Sequence, residues 1–578
     1  MRRQYWAGRM QVVYLGRGSR RTNPPPQPDG DVIELLSNNW DDYGYKTSFP
    51  VTCRLGGEIV ELPGLKLLVE DAYTSSTALD ALRADGWDGV FPIPDTNYVS
   101  VPTEITFYEQ VEGALGIDVA IAVAKLLRDA SYLVQIADDA DAKALVDSEG
   151  FRNSLQRERA STQTFIDGWR VFERQAIAVM DLGFQFENVF GNSTTLELKF
   201  QPRTRLPHDV NVLIGPNGYG KSQLLHQIVR DWISPSEEEE TGFVEKPNVS
   251  QLVVVSYSPF ERFPVDLAGR KLQDQDAYRY FGLRGRTTPS DTSKRGRITL
   301  SHDYPKRNAA QSLIQCLADD RRLRSIRDWS HKVATMERVL RTAIGFDFAA
   351  VEVAARKRPQ SFYRDTGLVE PLALDVGEGA ERRRYIPIGS DRIDELDDER
   401  LTASLEAASG VTFFLDGQPI ELSSGQRLFA YIVINILGAI RRNSLILVDE
   451  PELFLHPTLE IQFVDMLKTI LSRFNSKALL ATHSVVTVRE IPSDCVHVFE
   501  KTDDDVVLKH PPFQTFGGDF QRISSYVFGD KAVSKPFEAW IKAQLDESES
   551  ADALIAELGA DLNEELIIQI KAMERGQW

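Results

Sequence analysis

The stretch that decides the fold is "VLIGPNGYGKSQLLHQIVRDWI", Val212 to Ile233. An apolar run ends at a glycine-rich loop, and the residues after the loop repeat apolar side chains at helical spacing. Glycines let the backbone curl so that successive N–H groups face one anion. Gly215 to Ser222 also match the spacing Gly-x-x-x-x-Gly-Lys-Ser in full. The stretch therefore predicts a strand, a phosphate-binding loop and a helix, in that order.

The residue types in this loop suit a nucleoside triphosphate. We expect Lys221 to neutralise charge on the β- and γ-phosphates and the Ser222 hydroxyl to ligate Mg²⁺. ATP and Mg²⁺ are therefore the expected cofactors. The alternative is a glycine turn that joins a strand to a helix and binds nothing. The predicted nucleotide-binding residues are Gly215, Asn217, Gly218, Gly220, Lys221, Ser222 and Gln223.

Two further apolar runs end in polar residues. "SLILVDE" ends at Asp449 and Glu450, and its four consecutive apolar residues are typical of a strand buried on both faces. At its tip, Asp449 is placed to hold Mg²⁺ through water, and Glu450 to orient and deprotonate an attacking water. "KALLATHS" carries His483, which we expect to sense the γ-phosphate as a hydrogen-bond donor.

The segment "ELSSGQRLF", from Glu421, places a short polar segment ahead of an apolar helix. A helix N-terminus carries free N–H groups and a partial positive charge, so this polar segment could hold an anion. It could equally be only a helix cap. Both interpretations are open at this level.

Together, the loop, "LSSGQ", "ILVDE" and "ATHS" follow the order and context of the ATP-binding-cassette (ABC) ATPases. "LSSGQ" resembles the "LSGGQ" signature of that superfamily, with Ser424 in place of its first glycine. The resemblance implies that ATP is hydrolysed in a head-to-tail homodimer, or a higher oligomer. In such a dimer the signature of one copy closes over ATP bound to the other. The signature residues implied to act in this way are Ser423, Ser424, Gly425 and Gln426.

The run "DEPELFLHP", from Asp449, resembles the SMC/RecF-like and OLD-type branch, which acts on nucleic acid or in phage defence. The long insertion ahead of the signature resembles that of PtuA-like ATPase subunits of Septu and retron anti-phage systems. This resemblance implies a sensor or regulatory ATPase that controls a separate effector, such as a nuclease or toxin. The alternative is a DNA-repair or chromosome-maintenance ATPase that binds DNA directly.

These patterns predict an α/β fold, in which an ABC-ATPase head has a mostly parallel sheet and a helical insertion. An α+β accessory domain precedes this head. The expected divisions are a flexible basic arm over 1–30, the accessory domain over 31–175 and the ATPase domain over 176–578. Within the ATPase domain we expect a helix-rich basic insertion at about 261–409 and a helical tail at about 511–578. "DVAIAVAKLLRDASYLVQIA", from Asp118, predicts one amphipathic helix in the accessory domain.

Composition limits the possible partners. The net charge is −19, yet Glu261 to Ser390 holds 25 Lys and Arg against 17 Asp and Glu. That local excess suggests a nucleic-acid surface, or else a solvated face with internal ion pairs. The longest apolar run, Leu428 to Ile440, is shorter than the ~20 residues that a membrane span needs. The three cysteines match no disulfide or zinc spacing, so we expect a cytoplasmic protein without membrane contact.

Overall fold

The computed structural model of the chain describes most of its residues. These are 10–16, 31–37, 45–55, 58–175, 177, 179–202, 205–235, 241–268, 274, 276–287, 296–326, 329, 331–364, 372–378, 382–406, 409–502, 504–529, 536–548 and 550–575. Residues 1–517 form one unit and residues 518–578 a second.

The N-terminal module builds two sheets on a core of its own. Its strands are β1 (Gln11–Gly16), β2 (Val32–Leu36), β3 (Ser48–Phe49), β4 (Val51–Leu55), β5 (Glu58–Glu61), β6 (Leu65–Val69) and β7 (Tyr98–Pro102). They pair in the orders β1-β2-β4-β5 and β3-β6-β7. The expectation of a flexible arm over 1–30 is therefore wrong at β1, which runs parallel to β2. The rest of that arm lies outside the described residues.

The described residues of this module also form seven helices and one π-helical turn. They are α1 (Ser75–Ala84), α2 (Thr106–Leu115), α3 (Ile117–Leu126), α4 (Ala130–Gln135), α5 (Ala140–Val146), the π turn Phe151–Leu155, α6 (Arg159–Asp167) and α7 (Trp169–Phe172). The single helix expected from Asp118 is broken into α3 and α4. Arg128 has φ +48°, a left-handed conformation that ends α3, and the Asp129 carboxylate then caps α4 by accepting from the Tyr132 N–H.

The central sheet of the chain has seven strands. A small flanking sheet lies beside it. The strands of the two sheets and the helix α8 are β8 (Leu182–Glu187), β9 (Ser193–Leu198), β10 (Val210–Ile214), α8 (Lys221–Ile233), β11 (Gly242–Phe243), β12 (Gln251–Ser256), β13 (Tyr278–Gly282), β21 (Ser444–Asp449), β22 (Lys477–Thr482), β23 (Val496–Lys501) and β24 (Val506–Lys509). The central order is β13-β12-β21-β22-β10-β23-β24, and the flanking order is β11-β8-β9.

Six of the seven central strands run parallel, and only β24 is antiparallel to its neighbour. Strands β10, β12, β21 and β22 are buried along their whole length, as their continuous apolar runs require. The predicted α/β class with a mostly parallel sheet is thus confirmed. The order also brings the carboxyl ends of β21, β22 and β10 side by side, where parallel sheets bind ligands.

The region expected to be a helix-rich insertion is only partly helical. Its elements after β13 are β14 (Arg284–Arg286), β15 (Ile298–Leu300), α9 (Asp303–Arg322), α10 (Lys332–Leu340), β16 (Phe348–Val353), a 3₁₀ turn Pro359–Phe362, β17 (Leu374–Val376), β18 (Arg383–Ile388) and α11 (Asp398–Thr402). Strands β16 to β18 join β19 (Val411–Leu415) and β20 (Gln418–Pro419) in an antiparallel sheet ordered β17-β18-β16-β19-β20. Short runs such as "FAAVEV" and "RRYIPI" favour strands, because β-branched and aromatic residues fit a pleated, half-buried surface.

The chain then runs from β20 directly into the predicted signature. The remaining elements are α12 (Ser424–Ala439), a 3₁₀ turn Pro451–Phe454, α13 (Pro457–Arg473), α14 (Val485–Val488) and a 3₁₀ turn Ser493–Cys495. The second unit holds α15 (Phe520–Phe528), α16 (Pro536–Glu547), α17 (Ala551–Leu558), a 3₁₀ turn Gly559–Asp561 and α18 (Glu564–Glu574). Within the described part of the chain, no helix is both long and apolar enough to cross a bilayer.

The buried Asp129 makes the stability of the N-terminal module depend on pH. Burial raises the pKa of this carboxyl from 3.8 to about 7, so the folded chain keeps a proton that the unfolded chain releases. The stabilisation is complete below the unfolded pKa and is lost as the pH rises through about 7. We expect Asp129→Asn, which keeps the cap without a titrating proton, to raise the melting temperature relative to wild type more at pH 8 than at pH 5.

A suitable control is Asp139→Asn, because Asp139 caps α5 from a partly exposed position. It reports the effect of exchanging a capping carboxylate for an amide. A melting-temperature difference for Asp129→Asn that does not grow with pH would contradict the expectation.

Candidate functional site

The glycine-rich loop follows β10 and has the backbone shape that its sequence requires. Gly215, Gly218 and Gly220 have φ values of +155°, +81° and +96°. A Cβ on Gly215 would lie 2.8 Å from the carbonyl oxygen of Phe499 on β23. Both the conformation and the close approach therefore require glycine at this position. The loop passes directly into α8, whose first residue is Lys221.

Lys221 is buried although it carries an ammonium group. Its Nζ donates to the carbonyl oxygens of Gly215, at 2.9 Å, and Pro216, at 3.1 Å. Burial lowers its pKa to about 8, while the negative charges of Glu450, Glu452 and Asp449 oppose this shift. The ammonium thus lies inside the loop with carboxylates around it, which suits neutralisation of phosphate charge.

Three oxygen-bearing side chains meet beside the start of α8. The Ser222 hydroxyl donates to Asp449 Oδ1 at 2.8 Å, and the Ser256 hydroxyl donates to Asp449 Oδ2 at 3.4 Å. The pairing of Ser256 with Asp449 across β12 and β21 sets this geometry. Burial raises the pKa of Asp449 to about 6. Hydroxyl and carboxylate oxygens of this kind fit Mg²⁺, so Ser222 and Asp449 would hold it.

Ser256 was not among the residues singled out from the sequence. The only signal for it is a serine at the end of the apolar strand "QLVVVS". The strand order explains its hydrogen bond to Asp449, because β12 is the neighbour of β21 in the sheet.

Glu450 lies one residue beyond β21 in a left-handed conformation, with φ +50° and ψ +55°. This conformation costs a non-glycine residue of the order of 1 kcal/mol. A hydrogen bond from its N–H to the Ala481 carbonyl oxygen, at 2.8 Å, holds the turn. The half-buried side chain lies near Lys221, as its electrostatic effect on that ammonium shows. Backbone strain of this type is found at functional sites.

His483 directly follows β22, in the row where Ile214 of β10 pairs with Thr482. Its ring lies near the backbone of Gly215, the first residue of the loop. Burial lowers its pKa to about 4, and the positive charge of Lys221 adds to this effect. The imidazole is therefore neutral near pH 7 and donates a hydrogen bond from one ring nitrogen only.

Two predicted nucleotide-binding residues lie on the open side of the loop. Asn217 is exposed at its tip. Gln223 is exposed on the first turn of α8, where its Nε2 donates to the Glu187 carbonyl oxygen at 3.5 Å.

The predicted signature forms the N-terminal cap of α12. Ser423 Oγ accepts from the Gln426 N–H at 3.3 Å, and Gln426 Oε1 accepts from the Ser423 N–H at 3.2 Å. This reciprocal pair is a capping box. Gly425 is packed closely, since a Cβ there would lie 3.0 Å from the Phe454 carbonyl oxygen. Ser423 and Ser424 are nevertheless exposed and accessible to a ligand.

The signature and the loop belong to opposite faces of the central sheet. The hydrophobic core that α8 shares with the sheet includes Leu252, Leu445 and Leu479, and among the described residues it contains none from α12. Helix α12 instead packs against α9, α10 and α13. Its Asn435 donates to the Tyr257 hydroxyl, just beyond β12. Lys221 and Ser423 therefore begin helices that lie on different sides of the sheet.

Three arginines of the expected basic insertion form ion pairs with carboxylates. Arg321 pairs with Asp398, and Arg324 with Asp394 at 3.2 Å. Arg322 reaches Glu104 of the N-terminal module at 3.5 Å. These arginines form ion pairs within the chain, as the second interpretation of the local charge excess predicts.

The same Glu104 also contacts the main domain beyond α12. It lies 3.9 Å from Arg441, while Glu109 of α2 lies 3.6 Å from Arg442. Arg441 and Arg442 follow the end of α12 and precede β21. The N-terminal module is therefore anchored to the segment that joins the signature helix to the strand of Asp449.

A family model matches the part of the chain that carries these residues. Residues 210–489 match the family model described as "AAA domain, putative AbiEii toxin, Type IV TA system". This range begins at β10 and includes the loop, the signature, Asp449, Glu450 and His483. The match and the site geometry together support a P-loop ATPase domain, which is consistent with nucleotide binding.

One curated protein and several solved structures are similar to this chain at low sequence identity. Protein ea59 of Escherichia phage lambda is 22% identical over 375 residues, which are 63% of this chain and 62% of the relative. The chain thus covers less than two thirds of that relative's length.

Two solved structures illustrate the similarity. A nucleotide-free ATP-binding cassette of an ABC transporter is 12% identical, with a TM-score of 0.26 and coverage of 61% of this chain and 97% of that chain. An SMC head bound to the C-terminal winged-helix domain of ScpA is 10% identical, with a TM-score of 0.30 and coverage of 58% and 97%.

The buried ammonium gives the first test of the site. We expect Lys221→Ala to weaken ATP binding on the order of 100-fold, because charge-assisted hydrogen bonds to phosphate are lost. Isothermal titration calorimetry with Mg-ATP measures this. Lys143→Ala, which removes an exposed lysine of the N-terminal module, is the matched control. Equal affinity of the Lys221 variant and wild type would contradict a phosphate-binding role.

Proposed function

We propose that this protein binds ATP and hydrolyses it between two copies of the chain. The observation that carries the proposal is the convergence of Lys221, Asp449, Glu450 and His483 at the carboxyl ends of three neighbouring parallel strands. Phosphoryl transfer to water needs little covalent chemistry from the protein, so positioning and electrostatics supply most of the catalysis. All four groups are of the kind that this reaction uses.

Binding of the triphosphate would depend on the loop and the start of α8. The loop N–H groups and the N-terminus of α8 attract anionic oxygens. Lys221 would exchange its carbonyl partners, Gly215 and Pro216, for phosphate oxygens. Mg²⁺, when bound, supplies charge neutralisation between the β- and γ-phosphates. Ser222 and Asp449 would hold that ion, and the Ser256 hydroxyl would keep the carboxylate oriented.

Hydrolysis would use Glu450 and His483 in different roles. Glu450 lies at a strand tip near Lys221, where its carboxylate would orient a water and accept its proton. The pKa of His483 is lowered to about 4, so its ring is a weak base and would not act as the main base; its one N–H would donate a hydrogen bond to the γ-phosphate. Loss of Glu450 should therefore stop turnover without removing ATP.

The signature residues are the part of the chain that would contact a second copy. Ser423 and Ser424 are exposed, and α12 lies on the face of the sheet away from α8. We therefore assign Ser423, Ser424, Gly425 and Gln426 to ATP held by another copy of the chain. The capping box fixes the N-terminus of α12, so its N–H groups would meet that ATP in a preformed arrangement.

The biological role that we propose is regulation of a separate effector, such as a nuclease or toxin, in an anti-phage system. The description of the matched family names a putative toxin of a type IV TA system, which supports a link to a toxin-based system. The ion pairing of Arg321, Arg322 and Arg324 weakens the DNA-binding alternative. Plaque assays on cells that express the gene with its genomic neighbours test this role. Protection that Lys221→Ala abolishes is expected, and equal plaquing with and without the genes would overturn it.

The hydrolytic role of Glu450 predicts a trapped dimer. Glu450→Gln should bind Mg-ATP normally, lower turnover on the order of 100-fold or more and accumulate as an ATP-bound dimer. Light scattering after size-exclusion chromatography measures the dimer, and phosphate release measures turnover. Glu500→Gln, an exposed site that is paired with Lys509 on the surface, is the control. Wild-type turnover by Glu450→Gln would refute the role given to Glu450.

A further inference from the structure

Glu452 lies in the candidate site without a role in the reaction as described so far. It belongs to the 3₁₀ turn Pro451–Phe454, which directly follows Glu450. The left-handed conformation of Glu450 reverses the chain sharply, so the Glu452 side chain lies against the end of β22. This turn therefore places a second carboxylate two residues after the proposed base.

One carboxylate oxygen of Glu452 holds the backbone that carries His483. Oε1 accepts from the His483 N–H at 2.5 Å. His483 directly follows β22. From there the imidazole reaches the backbone of Gly215. The hydrogen bond to Glu452 thus fixes the backbone at His483, whose ring faces the phosphate loop.

The other oxygen of Glu452 is buried, and it has no hydrogen-bond partner among the described residues. A buried carboxylate oxygen without a partner costs free energy on the order of 1–3 kcal/mol. An apolar residue of similar size would avoid that cost. An unsatisfied polar group of this kind in a folded protein calls for a functional explanation.

The same turn also contacts the start of the signature helix. The Phe454 carbonyl oxygen would lie 3.0 Å from a Cβ on Gly425. The segment that holds His483 through Glu452 is therefore in contact with the helix that carries Ser423. A displacement at the Glu452 end of this four-residue turn would shift its Phe454 end, because packed interiors transmit strain.

We infer that Glu452 is a positioning residue for ATP hydrolysis, which holds the His483 backbone so that the imidazole meets the γ-phosphate. The inference rests on the proposed function, since it assigns His483 to that phosphate. Glu452 does not touch the reacting atoms in this account. Its effect passes through one hydrogen bond and one neighbouring residue.

The test compares two kinds of substitution at Glu452. Glu452→Ala and Glu452→Asp remove or withdraw the acceptor oxygen, so both should lower kcat on the order of 10- to 100-fold. Glu452→Gln keeps an oxygen that can accept from the His483 N–H, so its kcat should stay near wild type. The dissociation constant for Mg-ATP should be unchanged in all three. Asp465→Ala, an exposed change on α13, is the control.

A double-mutant cycle with His483→Ala then shows whether Glu452 acts through His483. Glu452→Asp combined with His483→Ala should be no slower than His483→Ala alone, because both substitutions remove the same contribution of the imidazole to turnover. Losses that multiply, Glu452→Gln as slow as Glu452→Asp, or loss of ATP affinity would each overturn the inference. If the wild-type chain has no ATPase activity, the proposed function fails as well. If wild type is active but these variants do not follow the pattern, only this inference fails.

Discussion

The burial of the Lys221 ammonium is the constraint on which the candidate site depends. A buried cation must be paired or hydrogen-bonded, and here two loop carbonyls accept from it while three carboxylates lie close by. The carbonyls come from the loop, and the carboxylates come from the end of β21 and the turn after it. They can meet only if β21 lies two strands from β10, with β22 between them. The order of the parallel sheet therefore defines the candidate site as much as any single residue does.

The sequence was informative wherever function depends on a local pattern. The glycine spacing predicted the loop, because only glycine fits the φ values and the contact with Phe499. The apolar run before Asp449 and Glu450 predicted a buried strand with acids at its tip, and the structure has that strand. A polar residue after an apolar run likewise pointed to His483. Each of these signals lies within a few residues of the side chain that it concerns.

What the sequence could not predict depends on contacts between distant segments. Ser256 is 193 residues from Asp449, with which it shares a hydrogen bond, and no local pattern connects them. The ion pair between Arg322 and Glu104 joins two segments that are far apart in the sequence, which a local charge count could not show. The insertion looked helical because its strands are short and alternate weakly, while their pairing is non-local. Glu452 was passed over because its partner, His483, follows a different strand.

The two interpretations of the segment from Leu422 to Gln426 prove to be compatible. The capping box is present, so the local interpretation holds. A cap leaves the serines exposed and fixes the direction of α12, which is also what an anion site for another copy would need. The N-terminal module adds a second fixed point, since Glu104 and Glu109 hold the arginines just beyond the other end of the helix. A helix held at both ends is suited to report nucleotide state to the rest of the chain.

The central claim is that each active site takes its loop from one copy and its signature from another. Mixing two inactive variants tests it most directly. Lys221→Ala disables the loop, and Ser423→Arg blocks the signature, so each alone should hydrolyse no ATP. In a mixed head-to-tail dimer, one of the two sites combines the intact loop with the intact signature. The account predicts that ATP hydrolysis reappears when the two inactive proteins are mixed. A mixture as inactive as its components, with mixed dimers present, would contradict it.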